Sequence, residues 1–392
     1  MVNVLMINAY PIASKCAIGY MSEHIWNNNN LFNIMEIYTN DVEVYKEVSA
    51  SYCCRINPII VREVCKKKGA ITTVPGDGVN RFKGLLKEVC KTIMPIRICD
   101  SLWKKVCEFS PDILYTQGYD IRILRVALRL SKKTGRKLCV HTLDDWFTTN
   151  GKVGDCLKRN VLKRCLKNGV SLVGSPAMSN RIKELYGNES EFFSNCAVFK
   201  DKEDEKKGKV VDLLYVGNLT PKRYESLNEL AQQIGRKKMD LQIHVYAPSD
   251  QIVAYGNKMN EHIVLYTAVP QEEVKKLIAT ARIMLHVEPF DMEYHSFIKY
   301  SLSTKIAEYA AMGKPIVYYG PLDVGTAQFL EETKIGKVYL SASDAIESIS
   351  LFLEDEVAYN EASRKSLENA RSFFDRSVVQ ERLHEYLRGQ ME

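Results

Sequence analysis

The stretch Ser301-Leu-Ser-Thr-Lys-Ile-Ala-Glu-Tyr-Ala-Ala-Met-Gly-Lys-Pro-Ile-Val317 decides how the chain is read. It is a serine-rich turn, a short helix, a glycine stop and a buried strand. Ser301 or Ser303 can cap the helix start, and Gly313 followed by Pro315 ends it. Lys305 and Glu308 stand three apart, so they share one helix face. A helix N-terminus offers unpaired backbone N–H groups and a partial positive charge, which suits a phosphate. A first-turn lysine opposes the helix dipole and costs stability unless an anion sits beside it. A glutamate one turn later can accept hydrogen bonds from a sugar diol. Ser303, Thr304, Lys305 and Glu308 therefore form a candidate cradle for a nucleoside diphosphate.

The alternation of strand and helix extends along the chain. Val2 to Ala9, Ile34 to Thr39, Pro111 to Gln117, Lys137 to Thr142 and Val170 to Gly174 read as buried strands. Asp120 to Lys133 between them has apolar residues at helical spacing. A second series comprises Asp212 to Val216, Gln242 to Tyr246, Ile263 to Tyr266, Ile283 to Val287, Pro315 to Tyr319 and Gly336 to Leu340. Strands alternating with helices imply a parallel, doubly wound sheet. A chain of 392 residues exceeds one compact core. The run KDKEDEKKGK from Lys200 to Lys209 is too charged to enter one. The expected division is a Rossmann-like domain over 1–199, a linker over 200–210, a second Rossmann-like domain over 211–374 and a closing helical segment over 375–392. Ligands in such sheets bind at the carboxyl ends of the strands, so two such domains are expected to face one cleft.

Charge is unevenly spread. Residues 1–200 hold 30 Lys and Arg against 18 Asp and Glu, a net +12, while the whole chain is +6. The excess points to an anionic partner for the first half. Lys66, Lys67, Lys68, Arg81, Lys83, Lys87, Lys91, Arg97, Lys104 and Lys105 alternate with Phe82, Leu85, Leu86, Val89, Ile93, Ile96 and Trp103. That pattern fits an anionic membrane surface, or equally a solvated helix face packed on the sheet. No nucleic-acid-binding motif accompanies it. All 11 cysteines lie at or before Cys196 without a CxxC pair, as in a reducing compartment. The start, MVNVLMINAYPI, lacks the pattern of a secretory leader, and no run approaches a membrane span. The expected location is the cytoplasm, peripheral to the inner membrane face if the basic segment is an interface.

Leu214-Tyr-Val-Gly-Asn-Leu219, the Ser303–Val317 signature with its Gly-Lys-Pro, and the ending Asn369-Ala-Arg-Ser-Phe-Phe374 resemble the donor domain of GT-B glycosyltransferases, family 4 in particular, including members that build surface polysaccharides. The resemblance covers 211–392 well and 1–200 more weakly. It implies transfer of a sugar from a nucleotide-sugar donor to a glycan or polyprenyl-linked acceptor, with retention of configuration, and a last helix that crosses back onto the first domain. It also implies that His141 touches the donor sugar or acceptor, with a core histidine the alternative. Many family members carry two glutamates eight positions apart. Glu308 matches the second, but Tyr300 occupies the place of the first, and the preceding glycine-rich turn is replaced by EPFDMEYHSFIKY.

The leaving nucleoside diphosphate needs electrostatic stabilisation. Gly217, Lys222 or Arg223, Lys305 and the Ser303-Thr304 turn are placed to supply it without a metal or other cofactor. Asp144 and Asp145 are candidate base or orienting carboxylates, against a helix-capping role. Gly19 lets the first loop approach the diphosphate, or is an ordinary turn glycine. His286, Glu288 and His295 lack ligand spacing, so no metal site is expected. A sugar-nucleotide epimerase of the same architecture and a degenerate partner subunit remain alternatives, the latter favoured by Tyr300.

Overall fold

The computed structural model describes residues 1–28, 30–40, 42–44, 50–56, 60–63, 95–148, 153–199 and 211–391. The charged linker and the basic stretch from Lys66 to Lys91 lie outside these residues. The chain forms two units, Met1–Asn195 with Val379–Glu392, and Cys196–Val378.

The first unit holds strands β1 (Val2–Asn8), β2 (Phe32–Tyr38), β3 (Ala50–Ile56), β4 (Ile60–Glu63), β5 (Arg97–Ile98), β6 (Ile113–Thr116), β7 (Leu138–Thr142), β8 (Val170–Val173) and β9 (Glu191–Phe192). Their order is β5-β4-β3-β2-β1-β6-β7-β8-β9. The second unit holds β10 (Val211–Val216), β11 (Ile243–Ala247), β12 (Ile263–Thr267), β13 (Ala281–Val287), β14 (Ile316–Tyr319) and β15 (Lys337–Tyr339), in the order β12-β11-β10-β13-β14-β15. Central strands such as VNVLMIN and ARIMLHV are almost continuously apolar because helices cover both faces of a parallel sheet.

Among the described strands every pairing is parallel except β3 with β4, which is antiparallel. These two strands and β5 extend the first sheet beyond what the sequence predicts. Their residues, ASYCCRI and IVRE, carry neither a long apolar run nor a clean alternation. The short β9 is likewise beyond the predicted strands, and the others fall within about two residues of their predicted bounds, the ordinary uncertainty of element ends.

Alternation along β10 and β13 sorts the second unit's side chains. Leu213, Tyr215, Ile283, Leu285 and Val287 enter one core with Leu227, Leu230 and Ile234 of the helix Arg223–Arg236. His286 is on the opposite face and stacks on Tyr318 of β14, ring centroids 5.8 Å apart. In this sheet β10 lies between β11 and β13, so the chain winds outward from β10 in both directions. The carboxyl ends of β10 and β13 are thus its topological switch point, where doubly wound sheets bind ligands.

The last helix, Arg376–Met391, belongs to the first unit from Val379 onward. It buries Val379, Leu383 and Leu387 there. The Gln380 amide donates to the His24 carbonyl at 2.8 Å, and Arg382 Nη2 to the Phe192 carbonyl at 2.6 Å. Among the described residues no helix is long and apolar enough to cross a membrane.

Candidate active site at the switch point of the second unit

Gly217 ends β10, and its N–H donates to the Tyr246 carbonyl at 2.9 Å. A Cβ at this position would collide with Lys305 Nζ and stand 3.0 Å from Tyr215 Oη. Glycine is therefore what lets the Lys305 ammonium rest on the turn. That ammonium also lies 5.9 Å from the centroid of the Tyr215 ring. Lys305 opens the helix Lys305–Ala311. Burial, joined by the Arg223 charge, pulls its pKa down to about 8.

Neither serine caps this helix as expected. Thr304 is the N-cap, in a helical conformation with no side-chain capping bond. Ser301 Oγ donates to the Phe297 carbonyl at 3.1 Å, and Ser303 N–H donates to Thr326 Oγ1 at 3.0 Å. The Ser303 amide is thus already used. At the other end Gly313 adopts φ +60° and Ile316 begins β14, as the sequence indicates. One turn into the helix, Glu308 accepts the Gln271 amide on Oε1, and burial pushes its carboxyl above the usual range.

Arg223 is the first residue of Arg223–Arg236. Its Nε and Nη2 donate to Glu288 Oε2 at 3.0 and 2.6 Å, and Nη1 donates to the Thr220 carbonyl at 2.6 Å. Glu288 stands immediately after β13. Its Oε1 is 3.1 Å from His286 Nε2, and its carbonyl accepts from Ser226 Oγ at 2.9 Å. Burial favours the neutral acid at Glu288. The His286 hydrogen bond and the Arg223 guanidinium outweigh it and hold the carboxyl below its ordinary range. Burial also depresses the His286 pKa, so this ring is neutral, with Nε2–H donating to Glu288. Its buried Nδ1 has no hydrogen-bond partner among the described residues. Lys222, at φ +49°, forms an ion pair with Asp291. Of the three cations, two are thus matched by carboxylates, and among the described residues Lys305 forms no ion pair.

Glu288 is the residue whose role the sequence hides. A carboxylate directly after the apolar run ARIMLHV is the available signal, but spacing alone groups it with His286 and His295. The structure separates that group: His295 Nε2 pairs with Asp323 at 2.9 Å. Among the described residues no cluster of three His, Cys, Asp or Glu is arranged to hold a metal.

The first-unit candidates divide differently. His141, on β7, is only 1% exposed. Its Nδ1 lies 2.8 Å from Tyr115 Oη and its Nε2 2.8 Å from the Phe193 carbonyl. Only one tautomer satisfies both partners: Nε2–H donates to the carbonyl and Nδ1 accepts from the tyrosine. Burial lowers its pKa to about 4. His141 is therefore a satisfied core histidine, with no nitrogen left for a substrate. Asp145 is also buried, accepting from the Thr148 N–H at 3.0 Å and from the Thr148 hydroxyl, with Arg181 Nε at 3.7 Å. It holds its loop together and presents no base. Asp144 is half-buried and accepts from Tyr119 Oη at 3.0 Å. Gly19 lies inside the helix Ala17–Trp26, not in a turn, and a Cβ there would overlap Ser14. The close approach it permits is to its own preceding loop.

Residues 222–387 match the family model described as glycosyl transferase-like. No curated protein matches the chain in sequence. Solved structures match over its whole length. A glycosyltransferase from Rickettsia africae superposes with a TM-score of 0.65 at 11% identity, over 100% of this chain and 99% of that one. HepE from Anabaena, crystallised with UDP, gives 0.63 at 14% over 99% and 100%. Sucrose-phosphate synthase from Thermosynechococcus elongatus gives 0.63 at 13% over 99% and 99%. The chain has the GT-B fold of two Rossmann-like parallel-sheet units, and residues 222–387 are similar to the glycosyl transferase-like family model.

Proposed function

We propose that the protein is a glycosyltransferase whose second unit binds a nucleoside-diphosphate sugar at the carboxyl ends of β10 and β13. The observation that carries this reading is the Lys305 ammonium seated on the glycine turn at Gly217, in an ion pair with no carboxylate among the described residues. A half-buried cation at a switch point is costly until an anion arrives. Lys305 and Arg223 bind the diphosphate. Glu308, with one oxygen held by Gln271, accepts from the ribose diol. The similar HepE structures contain UDP and, in another crystal, UDP-glucose, which supports this class of donor.

Departure of the nucleoside diphosphate leaves an oxocarbenium-like sugar, and the two cations stabilise the developing charge on the leaving phosphate. Transfer proceeds with retention and needs no divalent metal, so turnover persists in a chelator. The first unit binds the acceptor, a glycan or polyprenyl-linked glycan of surface polysaccharide synthesis. Asp144 is the first-unit carboxylate retained as an orienting group. The protein works in the cytoplasm, against the inner membrane face where its basic segment meets anionic lipid.

A thermal-shift screen of nucleoside diphosphates tests the reading. A ligand at 100 times its Kd stabilises by about 2.7 kcal/mol. No shift with any nucleoside diphosphate or its sugar conjugates overturns it. Nucleotide binding without glycosyl transfer would select the partner-subunit alternative, which Tyr300 in place of a family glutamate favours.

A further inference from the structure

Arg223 is held in an unusual way for a group that must meet a ligand. A guanidinium has five N–H bonds. Three of them are used: Nε and one Nη2 donor go to the single oxygen Oε2 of Glu288, and one Nη1 donor goes to the Thr220 carbonyl. The Nε and Nη2 pair forms the side edge of the guanidinium. One donor on Nη1 and one on Nη2 remain for a phosphate or carboxylate. The Arg223 side chain is 17% exposed, whereas Glu288 behind it is 5% exposed. Glu288 is itself clamped. His286 takes its other oxygen, and Ser226 takes its backbone carbonyl. His286 is fixed in turn by stacking on Tyr318.

We propose that Glu288 is a positioning residue for the leaving diphosphate, holding Arg223 by its side edge so that its remaining Nη donors face the ligand. This rests on the diphosphate reading of the site. The chain of support runs from Tyr318 and His286 through Glu288 to Arg223, and only the last member touches the ligand. A buried carboxylate would otherwise repel a nearby diphosphate. Here its charge is spent within its pair with Arg223, and the pair spares the arginine the ordering of a long side chain on binding. Glu288 as a competitor that must release Arg223 predicts the opposite effect of its removal, so the sign of one measurement separates the two roles.

The test is calorimetric titration of the full chain with UDP, ADP and GDP, with pyrophosphate, and with each parent nucleoside. Wild-type binding is read first, because failure to bind any diphosphate overturns the site and this role together. Where the wild type binds, Glu288→Gln is expected to weaken diphosphate and pyrophosphate by about tenfold and leave nucleoside affinity unchanged, as loss of a charge-assisted orienting bond does. Glu288→Asp should recover part of the loss. In an Arg223→Ala background the Glu288→Gln change should have no further effect, since it acts only through that arginine. Unchanged or tighter diphosphate binding by Glu288→Gln, or an equal loss of nucleoside binding, overturns the positioning role and leaves the diphosphate site standing. Should Glu288→Gln fail to fold, Arg223→Lys decides. It keeps the charge opposite Glu288 but has no Nη donors, and wild-type affinity in that variant overturns the proposal.

Discussion

A methyl group on Gly217 would meet the tip of a flexible lysine, Lys305 Nζ, and the Tyr215 hydroxyl, with no backbone atom among its nearest neighbours. Gly217→Ala should therefore fold with nearly wild-type Tm while displacing the ammonium, and nucleotide affinity should fall. A large drop in Tm would show instead that the glycine serves the fold. Lys305→Ala and Glu308→Ala should each weaken donor binding by about 1.5–3 kcal/mol, the scale of a charge-assisted hydrogen bond. The lysine also sets a pH dependence. Below about 8 it is protonated in the free protein, so donor affinity should be flat there and fall as pH rises through that value. One proton limits the slope to about tenfold per pH unit. A Lys305→Met variant should lose the slope. Stability should move the other way. The unfolded chain holds this proton up to the ordinary 10.5, so between about 8 and 10.5 the lysine's contribution to stability rises with pH. Titrations at pH 7, 8 and 9, and melting curves from 7 to 10.5, check both signs.

At the scale of the element, the helix Lys305–Ala311 owes its sharp end to Gly313. There φ is +60° and the carbonyl accepts from Ser363 Oγ of the helix Glu356–Phe374. An alanine meets no close neighbour, since the nearest atom to its Cβ would be Ser363 Oγ at 3.7 Å. The cost is then conformational alone, and Gly313→Ala should lower stability by about 1 kcal/mol. Chemical denaturation gives that number directly, and no loss would mean that the turn relaxes. The stop was readable in advance because glycine and proline impose backbone angles locally. The central strands were readable for a similar reason, since burial on both faces leaves an apolar run. Strands β3 and β4 were not, because ASYCCRI and IVRE contain no such run. Pairing between distant side chains was equally hidden. Nothing local to Glu288 reveals that Arg223, 65 positions earlier, grips it, or that His141 and Asp145 spend their polar atoms on Tyr115, Phe193 and Thr148.

At the scale of the whole molecule, the chain's last residues complete the first unit. Val379, Leu383 and Leu387 are fully buried there, and each such side chain contributes on the order of 1.5–3 kcal/mol. Deleting residues 376–392 should therefore destabilise the first unit by several kcal/mol, seen as an early unfolding transition in calorimetry. The same unit carries the excess positive charge, and part of its basic segment is already committed. Lys133 Nζ sits 3.7 Å over the Trp103 ring, Lys105 Nζ 4.1 Å over Tyr52, and Lys104 Nζ 3.8 Å from Glu108. Trp103 is thus covered by a cation and is a poor membrane anchor. The attraction expected of this segment is electrostatic. Each basic residue near an anionic surface contributes about 1 kcal/mol, screened beyond about 10 Å at 0.1 M salt. The protein should bind vesicles containing anionic lipid more tightly than neutral ones, and release them as salt rises. Replacing Lys66, Lys67, Lys68, Lys104 and Lys105 with glutamine should abolish the preference and leave nucleotide binding intact, because the proposed donor site is built from the other unit. Indifference of the wild type to anionic vesicles at low salt would make these lysines a solvated face and direct the search for an acceptor to soluble glycans.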